Sequence, residues 1–215
     1  HPSVASSLNN LAGLYVYQGR YGEAEPLYQE SLALRKQLLG EAHPDVASSL
    51  HNLAGLYESQ GRYEEAEPLY VEALGMRKKL LGEMHPSVAS SLNNLATLYG
   101  SQGRYEEAEP LYVEALGMRK KLLGAEHPDV AASVNNLAVL YANQQRYYDS
   151  EVLLRQALDL CNRLLGKDHP HTQGTWNSYI TLISRALQAN QAHTLSDDPM
   201  TQDLIPKIRA AMESP

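Results

Sequence analysis

The chain has no phenylalanine, one tryptophan and one cysteine in 215 residues. A lone Cys161 excludes an internal disulfide, and with it the bridged framework of small secreted domains. Apolar runs are short: none approaches the roughly eighteen residues that span a bilayer, and no charged-then-apolar leader is seen. Basic residues are in deficit, 18 Lys and Arg against 25 Asp and Glu, for a formal charge of -7. A nucleic-acid footprint needs clustered cations to neutralise phosphates, so neither nucleic acid nor a membrane surface is an expected partner. We expect a reducing, cytoplasmic setting. At 43% apolar residues, the composition is that of a packed chain rather than a disordered one.

What the chain has in abundance is repetition. His-Pro pairs at His1, His43, His85, His127 and His169 recur every 42 residues, and the units that open at His43 and His85 differ at only six positions. The chain opens on His1, in phase with the repeat and without a Met, so we expect a segment of a longer array. Within a unit, Val46, Leu50, Leu53, Ala54, Leu56 and Tyr57 recur at helical spacing behind Pro44, predicting a first helix, helix A. Gly61 and Arg62 break it. Ala66, Leu69, Tyr70, Ala73, Leu74, Leu80 and Leu81 then lay a second stripe up to Gly82, predicting helix B, with Glu64, Glu65 and Glu67 early and Arg77, Lys78 and Lys79 late, as the helix dipole favours. These charge runs read as solvated helix ends. Pro68 falls in or just beyond the first turn of helix B, where its penalty is modest.

One such helix pair cannot bury both stripes, but stacked pairs share a continuous core, so an all-α solenoid of antiparallel helix pairs is predicted. Residues 1–168 make four 42-residue repeats. Residues 169–215 make a degenerate fifth repeat, in which Trp176 replaces Leu8, Leu50, Leu92 and Val134, and a C-terminal capping helix starting near Pro206 after a loop at "AHTLSDDPM".

Leu50, Leu53-Ala54, Tyr57, Gly61, Tyr63, Ala66, Tyr70 and Ala73 resemble the tetratricopeptide-repeat signature in order and spacing. The 42-residue period, eight longer than the usual unit, resembles the variety found in kinesin light chains, and the likeness covers about residues 1–190. It implies a right-handed superhelix with helix A on the concave side and helix B on the convex back. It also implies a non-enzymatic protein-interaction scaffold that holds an extended peptide or partner segment in the groove.

Adjacent amides sit beside the apolar stripe of each helix A. By the resemblance, Asn10, Asn52, Asn94 and Asn136 form a ladder along the groove, with Asn9, His51, Asn93 and Asn135 beside it. A carboxamide offers a donor and an acceptor, so it can hold the backbone of an extended peptide whatever its side chains. The alternative is that these groups tie one helix to the next, or sit in water. Ser178 interrupts the ladder. Kinesin light chains read acidic peptides through basic groove residues, whereas the candidates here, such as Ser48, Gly55, Ser59 and Thr97, carry no cation; Arg20, Arg62, Arg104 and Arg146 could reach one edge.

Metal binding is not expected, because ligands must converge within about 2 Å of one ion, while equivalent histidines lie a repeat apart; each His is expected to act locally at its helix start. No phosphate loop, nucleophile elbow or metalloprotease motif is present, so no cofactor and no catalysis are expected. Cys161 reads as a replacement for Arg35, Arg77 and Arg119 rather than a nucleophile, and most tyrosines read as packing residues. Two further readings stay open: an array that self-associates through its end faces, and the sensor module of a larger signalling protein.

Overall fold

The computed structural model describes residues 1–213. Among them every regular element is helical: α1 (Pro2–Tyr17), α2 (Tyr21–Leu39), α3 (Pro44–Ser59), α4 (Tyr63–Leu81), α5 (Pro86–Ser101), α6 (Tyr105–Leu123), α7 (Pro128–Asn143), α8 (Tyr147–Leu165), α9 (Pro170–Gln188), a 3-10 turn (Ala192–Thr194) and α10 (Pro199–Glu213). The chain divides into two compact units, residues 1–104 and residues 105 onward. The division falls inside the third repeat, at the turn that precedes Tyr105, and so does not follow the 42-residue period.

The His-Pro pair explains why each odd-numbered helix starts where it does. His43 is extended (φ -135, ψ 144), as a residue before proline prefers, and its Nδ1 accepts from the Asp45 amide at 3.1 Å. Pro44 then takes the first helical position, where a missing N–H costs nothing. The same cap recurs at His85, His127 and His169, which receive the Ser87, Asp129 and His171 amides at 3.1, 3.1 and 3.2 Å. Each repeat histidine is therefore spent locally.

Helix A ends in a tight turn that requires positive φ. Gly61 supplies it (φ 72), and the Arg62 amide returns to the Tyr57 carbonyl at 2.8 Å. At the matching place in the fourth repeat stands Gln145, held at φ 61. Pro68 lies one turn into α4 and the helix runs through it.

In the first unit α1 packs on α2 and α3 on α4, while α2 and α4 each pack against the next first helix, α3 and α5. Val46, Leu50 and Ala73 are buried together, with Leu32, Leu69 and Met76 against them, so α2, α3 and α4 share one interior. Ala12, Ala24, Ala54, Ala66 and Ala73 are fully buried, the small side chains that let helices approach.

In the second unit α6 packs on α7, α7 on α8 and α8 on α9. Its main core joins Ala138, Leu154, Tyr179, Leu182, Ile183 and Ala186, covered by Leu204, Ile205 and Ile208 of α10. The capping helix starts at Pro199, not near Pro206, which lies in its interior. Its start is signalled by Asp198, whose Oδ1 accepts from the Met200 amide at 3.0 Å and the Thr201 amide at 3.4 Å. Thr201 at its start meets Tyr179, and Arg209 and Met212 near its end line a cleft with Leu187, so α10 runs parallel to α9 rather than returning along it. No helix of the described residues is long and apolar enough to cross a membrane.

Candidate partner-binding face

The predicted amides come together in the first unit, but diagonally. Asn52 Nδ2 donates to Asn9 Oδ1 at 3.0 Å, across 43 residues, so the flanking row of one repeat bonds the ladder row of the next. One repeat on, Asn94 Nδ2 meets His51 Nε2 at 2.9 Å, again across 43 residues, and Asn93 Nδ2 donates to Asn94 Oδ1 at 3.4 Å. Asn9, His51, Asn52 and Asn94 are half-buried, Asn93 is buried and Asn10 is exposed. In the second unit Asn135 and Asn136 are half-buried on α7, and the Asn135 Oδ1 is buried without a hydrogen-bond partner among the described residues. Ser178, where the ladder breaks, folds its hydroxyl back to the Gly174 carbonyl at 3.1 Å. The interhelix ties are thus present, and Asn52 keeps one amide hydrogen and its oxygen without a partner among the described residues.

His51 is a strongly perturbed titrating group of this face. Its Nδ1 lies 3.5 Å from Arg77 Nη1, and its ring meets Tyr70 edge-on at 5.2 Å. Burial first, and the Arg77 charge second, lower its pKa from the ordinary 6.5 to about 4. The imidazole is therefore neutral at physiological pH. Nearby, the Tyr70 hydroxyl donates to Glu58 at 2.7 Å, while burial raises the carboxyl of Glu58.

Arg77 itself overturns the reading of the basic run as a solvated end. It is buried, and its Nη1 donates to Ser91 Oγ at 2.7 Å and to the Ser87 carbonyl at 3.3 Å, fastening α4 to α5. Arg35 makes the same tie to Ser49 at 2.8 Å, and Arg119 to Ser133 at 2.5 Å. At the fourth such place Cys161 is buried 3.9 Å from Thr175 Oγ1, and desolvation pushes its thiol pKa up, the opposite of an activated nucleophile.

The turn arginines are likewise engaged rather than free to edge a groove. Arg62 stacks 4.0 Å from the Tyr57 ring centre and reaches Glu25 of the preceding helix B at 2.8 Å, while holding Glu65 at 2.7 Å in its own turn. The Tyr57 hydroxyl donates to the same Glu25 at 3.1 Å. This Tyr–Arg–Glu clasp recurs with Tyr99, Arg104 and Glu67, where the ion pair is 2.6 Å, and with Tyr141, Arg146 and Glu109 at 3.1 Å. The acidic start of helix B is therefore partly an acceptor for the next hairpin. Sequence reading missed this, although the constant spacings of 32 and 37 residues from Glu to Tyr and from Glu to Arg carry it.

Glu151 holds the fourth acceptor place, but Ile183 and Gln188 stand where its Tyr and Arg would be. The carboxylate is fully buried and receives the Ser196 amide at 2.7 Å, with the Ser196 and Thr201 hydroxyls completing it. The segment before α10 thus replaces the missing clasp. Among the described residues no three His, Cys, Asp or Glu side chains converge as a metal site.

A tetratricopeptide-repeat family model matches residues 3–79, 54–121 and 87–142, and a second tetratricopeptide-repeat model matches residues 130–171. Among solved structures, a kinesin light chain-like protein of Podosopora anserina with nearly identical TPR-like repeats is 28% identical, over 98% of this chain and 95% of that one, with a TM-score of 0.76. A second structure of that kind from Podosopora anserina is 26% identical over 100% of this chain and 99% of that one, with a TM-score of 0.75. BtubC (BKLC) from P. vanneervenii is 29% identical over 100% of this chain and 83% of that one, at 0.75. No curated protein matches the sequence closely. Repeats of helical hairpins, buried small residues such as Ala54, Ala66 and Ala73, and the matched models agree: the chain belongs to the tetratricopeptide-repeat family.

Proposed function

We propose that the chain is a non-enzymatic protein-interaction scaffold, and that the face bearing Asn52, His51 and Asn94 receives an extended peptide or partner segment. Residues 1–168 form the interacting array in this reading, and residues 169–215 close it. One observation carries the proposal: the amides of this face are half-buried and bonded in diagonal pairs, yet Asn52 retains both a donor and an acceptor. Groups already fixed by one bond offer their remaining valences without further ordering cost, which leaves that cost to the ligand. The neutral His51 and the buried Arg77 add no exposed cation, so the face does not select acidic segments through charge. Cytoplasmic residence, in keeping with the free Cys161, is part of the same proposal.

The test is a peptide-display selection on the intact chain, repeated on the double variant Asn52→Ala, Asn94→Ala, with melting curves for both. Selected peptides should bind the variant at least tenfold more weakly while the array stays folded. Unchanged affinity removes the face from the assignment.

We keep self-association through an end face as a second reading. Val4, Leu11 and Leu14 of α1 are 48%, 41% and 50% exposed, whereas their counterparts Val46, Leu53 and Leu56 are 0%, 5% and 1% exposed. Beside them Arg20 stacks 4.1 Å from the Tyr15 ring centre and bonds Glu23 and Gln18 within its own turn. Sedimentation at several concentrations decides it: a mass that rises with concentration and reverts with Leu11→Glu supports association, and a constant monomer mass refutes it.

A further inference from the structure

The strongest unassigned feature lies in the second unit, where the C-terminal half of α8 meets the start of α9 and of α10. A cavity of about 400 Å³ opens there, lined by Leu158, Asn162, Lys167, Thr172, Trp176 and Met200, and it adjoins a shallower one of about 590 Å³ that shares Leu158, Asn162 and Met200. Volumes of this order suit a small ligand rather than a folded partner.

The wall is where this repeat departs from its predecessors. Thr172 stands where Val46, Val88 and Val130 are buried in earlier repeats; it is 3% exposed, and its hydroxyl has no hydrogen-bond partner among the described residues. A buried, unpartnered hydroxyl is destabilising, so an isosteric valine would serve the core better. Lys167 replaces Glu41, Glu83 and Ala125, and Asn162 replaces Lys36, Lys78 and Lys120. Trp176 supplies an aromatic wall in place of an aliphatic one.

The charges around the opening resolve in favour of an anion. Asp159 is paired with Arg163 at 3.1 Å and Asp198 with Arg155 at 2.5 Å. Lys167 has no ionic partner among the described residues and is exposed at the rim. The cavity is therefore lined by an apolar body of Leu158, Trp176 and Met200, by Thr172 with its buried hydroxyl, and by the ammonium of Lys167.

We propose that this cavity binds a small amphiphilic carboxylate, its hydrocarbon against Trp176 and Met200 and its anionic head within reach of Lys167 and the Thr172 hydroxyl. Because Trp176 is the chain's only tryptophan, its fluorescence reports occupancy directly. The probes are decanoate and, as the uncharged control, decan-1-ol, both kept below aggregation. Decanoate should change Trp176 emission saturably and bind at least tenfold more tightly than decan-1-ol. Thr172→Val and Lys167→Glu each restore a residue that earlier repeats carry, so both variants should fold, as melting curves will show. Each should weaken decanoate about tenfold, and Lys167→Glu should leave decan-1-ol unchanged. Absence of a saturable signal, equal affinity for the two probes, or decanoate binding indifferent to both substitutions overturns the proposal.

Discussion

His51 makes the first unit acid-labile in a way its neighbouring repeats are not. At neutral pH its Nε2 lies 2.9 Å from Asn94 Nδ2 and its Nδ1 lies 3.5 Å from the Arg77 guanidinium. A proton on the ring turns the first contact into donor against donor and sets two cations side by side. The folded pKa is lowered from 6.5 to about 4, so above 6.5 the ring is neutral in both states and contributes no pH dependence. Between 6.5 and 4 the unfolded chain takes up a proton that the folded chain refuses, and stability falls as the pH falls. One pKa unit is worth about 1.4 kcal/mol, so the loss relative to neutral pH reaches about 2 kcal/mol at pH 5 and about 3 kcal/mol at pH 4. His51→Asn is the matched control, because Asn9 at the equivalent place already accepts from Asn52 at 3.0 Å. Urea unfolding of both proteins at pH 7, 6, 5 and 4.5 gives a difference in which the remaining histidines cancel. The difference should move by about 2 kcal/mol toward the variant between pH 7 and 5. A flat difference, or a His51 ring that titrates above pH 6 in the folded protein by NMR, refutes the reasoning.

Ser91→Ala leaves the buried Arg77 Nη1 without its 2.7 Å acceptor; because the donor is charged, we expect a loss of about 1.5–3 kcal/mol in chemical denaturation, far above a surface serine in the same helix. Gln145→Gly relieves a side chain held at φ 61 and should raise stability by about 1 kcal/mol, read as a higher melting temperature. Ala66→Leu puts three extra carbons at a fully buried helix crossing and should cost about 1–3 kcal/mol in the same melts.

How much of this was legible depends on whether a residue acts within its own repeat or on the next. The span of α3, Pro44–Ser59, follows from Pro44 at the first position and apolar residues every three or four thereafter, and that of α4 ends at Leu81 because Gly82 takes φ 84. Both are local matters, and periodicity records them. The start of α10 was equally local but was masked: Asp198-Pro199 is a cap followed by a first-position proline, and it sits inside a polar stretch that reads as loop. Arg77, Glu67 and Arg104 were misread for a different reason. Their partners lie in another hairpin, and a charge facing a tie has the same sequence context as a charge facing water. The amides of helix A posed the same problem, since the spacing places Asn52 beside the apolar stripe whether it faces a ligand or Asn9.

Near-identical repeats make those ties necessary. Apolar ridges of equal spacing fit one another almost as well after a slip of one turn, about 5.4 Å, so hydrophobic burial alone holds consecutive hairpins together without fixing their register. Directional bonds do fix it: in the first unit Asn52 finds Asn9, Arg77 finds Ser91 and Arg62 finds Glu25 only at one setting. The consequence for binding is a division of valence. An amide that has donated one hydrogen to the previous repeat can offer a ligand only what is left, and the bond already made decides which way that remainder points. His51 replaces an acceptor oxygen with a ring nitrogen at one repeat while its neighbours keep asparagine, so the face is not uniform along the array. At His51 alone among these equivalent places does acid change the hydrogen bonding.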